Sequence, residues 1–267
     1  MVNGVNSSSN NSILQQVQER QNNLLERLAS GRQINSAADG AAAQQIIDRL
    51  SSQVSGNQQA LNNVYDGISL AQVGDAALSG VNDDVARIRE LSVQAGNGLL
   101  TDADRSALQQ EVTQLQDNIR STLENTNFNG NSLFTADGSI DFQSGANAGQ
   151  SIGVNTRDLP TALNDILNAD ISTETGAQAA LDSADAAIET VGSNRAEFGA
   201  VQNRFESTAR QLTTQTVNEQ AARSRIQDTD FAATTAENAA AGVLSQANIA
   251  VQAQANQQQS QVLALLS

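Results

Sequence analysis

The sequence predicts a mainly α-helical fold, a long antiparallel coiled-coil bundle in which the N- and C-terminal helices pair, with a small β-hairpin region near the middle of the chain. Apolar residues recur at alternating steps of three and four over long stretches, which is the spacing of packed helices. The 267 residues include a single proline and only 3% aromatic residues. Small aliphatic side chains therefore supply most of the core, and they suit closely packed helices.

The first helix is expected after a polar leader, with Ser12 as its N-cap. Its seam has the three-and-four spacing of a coiled coil, with Gln21 as the polar position, and its apolar members are Leu14, Val17, Leu24 and Leu28. Gly31 and Gly40 then interrupt the helical pattern. A helix with such a seam requires a long helical partner.

Two further helices are expected before the middle of the chain. The pattern resumes at Ile46, and from Leu61 its seam continues for roughly forty residues, or about 55 Å of helix. Thr101 then predicts the start of another helix, because its hydroxyl can cap the backbone and Asp102 and Asp104 are favourable near a helix N-terminus.

The β region is expected at about 128–160. Asn-Gly at 129–130 and Asp-Gly at 137–138 are turn pairs, and short alternating runs contain Ile140, Phe142, Ile152 and Val154, so we expect two small hairpins. Helical spacing returns after Pro160, and a last helix runs from about Asp230 to the end.

The C-terminal helix carries the strongest indication of self-association. One of its stripes contains Leu244, Asn248, Val251, Ala255, Gln258, Val262 and Leu265. Each large apolar side chain gains roughly 1.5–3 kcal/mol on burial, so the stripe should be covered. We expect it to pack on the N-terminal helix and on other copies of the chain, because two helices alone leave apolar surface exposed. The candidate assembly residues are Leu14, Val17, Leu24, Leu28, Leu244, Val251, Val262 and Leu265.

Composition argues against several functions. There is no Cys and no His, so thiol chemistry and the commonest general base and metal ligand are absent; Asp83 and Asp84 are interpreted as a solvated helix face. We therefore predict no enzyme, and no catalytic, cofactor or metal site. The net charge of -15 disfavours nucleic acid and anionic membranes as partners. The segment MVNGVNSSSNNS has neither the basic nor the apolar region of a cleavable signal peptide, and no apolar run is long enough to span a membrane, so composition alone leads us to expect a cytoplasmic protein.

Five segments, in the same order, resemble bacterial flagellin. They are LLERLASGRQINSAADGAAA at 24–43, GDAALSGVNDDVARIRELSVQAGNG at 74–98, FNGNSLF at 128–134, FQSGANAGQSI at 142–152 and ARSRIQDTDFA at 222–232. The leader MVNGVNSSSNNS lacks the apolar start usual in the family. The middle is minimal, so the resemblance implies a short form without large variable outer domains.

The resemblance implies a structural subunit that self-assembles into the flagellar filament used for motility, and it overturns the cytoplasmic expectation. The chain would be secreted to the cell exterior, with other protomers, the filament cap, hook-junction proteins, a secretion chaperone and the export apparatus as partners. Segments 1–44 and 226–267 would form the inner tube of the filament, and 45–225 a helical bundle domain.

The family is also recognised by the flagellin-sensing Toll-like receptor of animals, whose contact motif is similar to ARIREL here. The resemblance implies Arg87, Leu91 and Glu111 as contact residues. Alternatively, Leu91 is a core residue and the two charges are ordinary solvated positions.

Two other functions are weighed against the filament subunit. A hook-filament junction protein shares the terminal helices, although its C-terminal signature is usually weaker than RSRIQDTDFA at 223–232. A signalling coiled coil is a remote alternative, because the centre of this chain is a hairpin-bearing region instead of a tight helical tip.

Overall fold

A computed structural model describes the backbone of residues 3–266 and the side chains of residues 12–258, 260 and 261. In chain order its elements are α1 (Asn3–Ser30), α2 (Ala37–Ala95), α3 (Asp102–Asn125), β1 (Asn127–Phe128), β2 (Asn131–Ser132), β3 (Gly138–Gln143), β4 (Ser151–Thr156), α4 (Leu159–Ala162), α5 (Asn164–Leu167), α6 (Glu174–Gln227) and α7 (Phe231–Leu266). The mainly α fold with a small β region is confirmed.

The described residues form two compact units. The terminal unit contains the chain up to Val54 and from Val217 onward, and the middle unit is Ser55–Thr216. Each unit has its own packing.

In the terminal unit, α1 pairs with α7, which confirms the predicted pairing of the terminal helices. The segment that follows α1 and the segment that precedes α7 are joined by backbone hydrogen bonds. Gln33 N donates to Gln227 O at 2.6 Å, and Thr229 N donates to Gly31 O at 3.0 Å. The bridge between Arg32 and Asp228 is antiparallel. Gly31 ends α1 in the left-handed region with φ 69°, a conformation that glycine adopts without strain.

Two predictions about the first helices have different outcomes. The prediction that Ser12 is the N-cap of the first helix is wrong, because α1 begins at Asn3 and passes through Ser12. Serine and asparagine each cost less than about 0.7 kcal/mol inside a helix, so a polar leader without proline can continue one. The expected interruption at Gly40 is confirmed, since its backbone is non-helical within α2.

In the middle unit, α2 and α6 pack antiparallel around a shared core. Ion pairs join the two helices at Arg89 Nε and Asp185 Oδ1, 2.6 Å apart, and at Arg195 Nε and Asp75 Oδ1, 2.9 Å apart. The rings of Phe198 and Phe205 lie so close to the glycines of α2 that a Cβ atom there would overlap them, at Gly74 and Gly67 respectively. Glycine therefore permits the close approach of the two helices.

α3 starts as the sequence predicts. The Thr101 hydroxyl accepts from Asp104 N, and Thr101 N donates to the Asp104 carboxylate at 3.0 Å, which completes a capping box.

The two hairpins are formed, but one predicted turn is placed wrongly. Asn129 and Gly130 connect β1 to β2 with φ 51° and 82°, the values of a type I′ turn. β3 pairs with β4 from Gly138 opposite Thr156 to Gln143 opposite Ser151. Asp137-Gly138 is therefore not a hairpin turn: Gly138 begins β3, and Asp137 Oδ1 accepts from Asp158 N at 3.1 Å, just before α4.

Candidate interaction surfaces

The α1 side of the terminal pair is the predicted apolar seam. Leu24 is buried, and Leu14, Val17 and Leu28 are half-buried. These positions recur at the spacing of a coiled coil, and α1 places them towards α7.

The α7 side of the same pair is small and polar. Apart from Gly242, its less exposed positions among the described residues recur with coiled-coil spacing and are Thr234, Asn238, Ala241, Ser245, Asn248 and Gln252. A Cβ atom added at Gly242 would have Gln21 Nε2 of α1 as its nearest neighbour, at 3.8 Å. An ion pair between Arg20 Nη2 and Glu237 Oε2, 3.9 Å apart, spans the two helices. Small side chains on α7 thus let the larger side chains of α1 pack closely.

The large apolar residues of α7 are exposed. Leu244 is 55% and Val251 58% exposed, and Val243 and Ile249 are exposed as well. The expectation that Leu244 and Val251 pack on α1 is therefore wrong: small and polar positions of α7 occupy that contact. The side chains of Val262 and Leu265 lie outside the described residues. A part in assembly for the candidate residues remains a prediction.

Arg87 and Glu111 form a surface ion pair between α2 and α3. Arg87 Nη2 and Nε donate to Glu111 Oε1 at 2.8 and 3.0 Å, and Arg87 Nη1 donates to Glu90 Oε2 at 2.9 Å. The hydrogen bonds to Glu111, and then those to Glu90, raise the pKa of Arg87. The ion pair therefore places charges of α2 and α3 on one surface, and a receptor contact for Arg87 and Glu111 stays a prediction.

Leu91 does not belong to that surface. It is 1% exposed and lies in the core of the middle unit. The interpretation of Leu91 as a core residue is thus the one that the burial supports.

The interpretation of Asp83 and Asp84 as a solvated face is correct for one of them. Asp83 is exposed, whereas Asp84 is half-buried and its Oδ2 accepts from Asn118 Nδ2 at 2.6 Å. Burial raises the pKa of Asp84, and the hydrogen bond from Asn118 partly offsets this. Asp84 therefore helps to join α2 to α3.

A buried arginine closes the loop between α2 and α3, and the sequence did not indicate it. Arg105 Nε donates to Ala95 O at 2.9 Å, Nη1 to Leu100 O at 2.9 Å and Nη2 to Asn97 O at 3.1 Å. Its side chain is 8% exposed. The carbonyl of the last residue of α2 and two carbonyls of the loop that follows thus share one guanidinium.

Neither a metal centre nor a membrane span was found in the part of the chain that the structure describes. No three His, Cys, Asp or Glu side chains among these residues could hold a metal ion. Across the same residues, no helix combines the length and apolar character needed to cross a membrane.

Comparison with known proteins first places the chain among flagellar proteins with helical ends. The family model for the bacterial flagellin N-terminal helical region matches residues 3–139, and that for the bacterial flagellin C-terminal helical region matches residues 181–266. The chain belongs to the bacterial flagellin family.

Individual relatives agree with this. A flagellin of Halalkalibacterium halodurans is 39% identical over 246 residues, covering 91% of this chain and 90% of the relative. The flagellar filament 30.7 kDa core protein of Treponema maltophilum is 35% identical over 259 residues, covering 91% of each chain. The crystal structure of Bacillus cereus flagellin matches with a TM-score of 0.53 and 30% identity, covering 61% of this chain and 94% of that one.

Proposed function

We propose that this chain is the structural subunit of a bacterial flagellar filament, which self-assembles into a helical polymer used for motility. Its role is structural and not catalytic. The observation that carries the proposal is the exposed set of large apolar side chains on α7, including Leu244 and Val251. A helix that is apolar on several sides is stable only when other helices surround it, and α1 covers one side.

Other copies of the chain are the natural cover for this surface. Contiguous exposed apolar surface on a folded protein marks an interaction site. The terminal helices would then form the filament core, with segments 1–44 and 226–267 in its inner tube and 45–225 as the bundle domain outside it. The separate packing of the terminal and middle units supports such a division.

Membership of the family supports a proposal for partners and location. We infer that the chain is secreted to the cell exterior through the flagellar export apparatus, with a chaperone, and joins a filament bounded by cap and hook-junction proteins. A tagged chain should be recovered from sheared external filaments of flagellated cells and not from cells with a blocked export channel.

Polymerisation of the purified chain tests the central proposal. Deleting residues 261–267, or introducing Val251→Asp, should prevent seeded growth measured by sedimentation, because the aspartate would place an unpaired charge in a surface that excludes water. Both variants should keep the middle unit folded. Normal growth of either variant at the wild-type critical concentration would contradict the role of α7.

The same experiment separates the filament subunit from a hook-filament junction protein. A filament subunit should grow into long uniform filaments from its own seeds, seen by electron microscopy. A junction protein should instead stop at short assemblies. A signalling coiled coil would form neither.

We further propose that Arg87 and Glu111 contact the flagellin-sensing Toll-like receptor. Their ion pair is exposed, with about half of each side chain accessible (49% and 46%), so both charges can meet a partner. Arg87→Ala with Glu111→Ala should abolish receptor signalling by the isolated chain and leave its helical content unchanged. The matched control is Arg195→Ala with Asp75→Ala, which removes another ion pair between two helices of the same unit, outside the ARIREL segment. Equal signalling by both double variants and the wild type would refute the assignment.

A further inference from the structure

The loop between α2 and α3 contains Asn97 followed by Gly98, a pair with a specific reactivity. The backbone nitrogen of a residue can attack the side-chain carbonyl carbon of a preceding asparagine, and glycine has no Cβ to hinder the ring closure. Both residues are exposed, and a Cβ at Gly98 would meet nothing within 4 Å. The loop therefore leaves space for the reaction.

Hydrogen bonds converge on the two oxygens where negative charge would develop. The backbone O of Asn97 accepts from Leu100 N at 3.1 Å and from Arg105 Nη2 at 3.1 Å. The side-chain Oδ1 of Asn97 accepts from Leu99 N at 3.0 Å. The guanidinium of Arg105 is fixed by its other donations, to Ala95 and Leu100, so it does not have to reorganise during the reaction.

We propose that Asn97 is a site of spontaneous deamidation that the folded loop accelerates. Hydroxide removes the proton from Gly98 N, and the resulting charge is shared with Asn97 O, where Arg105 and Leu100 donate. Gly98 N then forms a bond to Asn97 Cγ, and the charge on Oδ1 is stabilised by Leu99 N. The bond from Cγ to the amide nitrogen breaks, and ammonia leaves after taking a proton from water.

The product is a five-membered succinimide, which water opens. Water adds to one of its two carbonyl carbons and breaks the bond from that carbon to Gly98 N. The outcome is aspartate or isoaspartate at position 97, without any oxidant or cofactor. Donors held at a developing oxyanion, one of them charged, stabilise such transition states more than water does.

The chain contains an internal control. Asn129 and Gly130 form the same residue pair, but they lie in the tight turn from β1 to β2, which the pairing of Phe128 with Asn131 holds. The chemistry of the two pairs is the same, so a difference in rate between them reports the fold.

The test incubates the full-length chain in mildly alkaline buffer, native and in urea, and follows deamidation at both sites by peptide mapping and isoaspartate labelling. In the native chain Asn97 should react at least about tenfold faster than Asn129, which corresponds to about 1.4 kcal/mol of transition-state stabilisation. In urea the two rates should converge. Equal native rates, or the same difference in urea, would overturn the proposal.

Arg105→Gln provides a second measurement. With the fold retained by circular dichroism, the native rate at Asn97 should fall towards the rate in urea, and an unchanged rate would overturn the proposal. Asn97→Gln should abolish the signal at position 97, because the larger ring closes slowly. If Arg105→Gln does not fold, the comparison of native and unfolded wild-type chain decides the matter alone.

Discussion

Replacing both Leu244 and Val251 by serine should raise the critical concentration for polymerisation and leave the isolated chain folded. In the isolated chain both side chains are more than half exposed, so serine removes little buried surface. In a polymer that covers α7, the same change removes apolar contacts between copies. The effect should therefore be on association and not on folding.

The expected magnitude follows from the exposed fractions. Complete burial of a valine or leucine side chain contributes roughly 1.5–3 kcal/mol. Because 55% of Leu244 and 58% of Val251 is exposed, covering that exposed part contributes about 0.8–1.7 kcal/mol for each. The pair contributes about 1.6–3.4 kcal/mol, which corresponds to roughly one to two and a half orders of magnitude in critical concentration.

Seeded growth measured by sedimentation gives the critical concentration, and circular dichroism monitors the isolated chain. The matched control is Gln246→Ser with Gln254→Ser. It also introduces two serines into α7, with a similar small loss of helix propensity, but at exposed polar positions and without removing a large apolar side chain. A wild-type critical concentration for the Leu244 and Val251 variant, or an equal rise in the control, would refute the reasoning.

The remaining predictions concern the middle unit. Gly67→Ala should lower the free energy of unfolding by about 1–3 kcal/mol because its Cβ would overlap the Phe205 ring. Gly80→Ala should raise it by about 1 kcal/mol, since that Cβ meets nothing within 4 Å; urea unfolding measures both. Leu91→Ala should lower the free energy of unfolding by about 2–5 kcal/mol, and a decrease below about 0.5 kcal/mol would contradict the core position of Leu91. Hydrogen bonds from Thr101 lower the pKa of Asp104 from its ordinary value of 3.8. The ionised carboxylate of Asp104 therefore stabilises the folded chain above that pH, and this stabilisation disappears as the pH falls through the lowered pKa of the folded state. An ordinary pKa for Asp104 in an NMR titration would contradict this.

Periodicity predicted the main elements because it depends on local spacing alone. The seam of α1, the cap at Thr101 and the Asn129-Gly130 turn each follow from neighbouring residues. The start of α1 did not, because Ser12 satisfies a capping pattern that the polar leader overrides by remaining helical. A capping residue marks the start of a helix only when the residues before it are not helical.

The interaction surfaces were less predictable because they depend on which helix covers which face. Arg87 and Leu91 are one helical turn apart on α2, yet the first is exposed and the second is buried in the core of the middle unit. The burial of Arg105 depends on three carbonyl groups that converge only when the loop closes. Spacing along one helix does not contain this information.

The polar seam of α7 also explains why the prediction that Leu244 and Val251 pack on α1 was wrong. A stripe of leucine and valine predicts a buried face, but burial inside one chain and burial between chains give the same pattern. In this chain the contact with α1 uses small and polar positions such as Thr234 and Ala241, and leaves Leu244 and Val251 outside. A rotation of α7 that buried Leu244 and Val251 against α1 would leave less apolar surface exposed on the isolated chain. Their exposure is consistent with the proposed self-assembly, in which further copies of the chain would cover them.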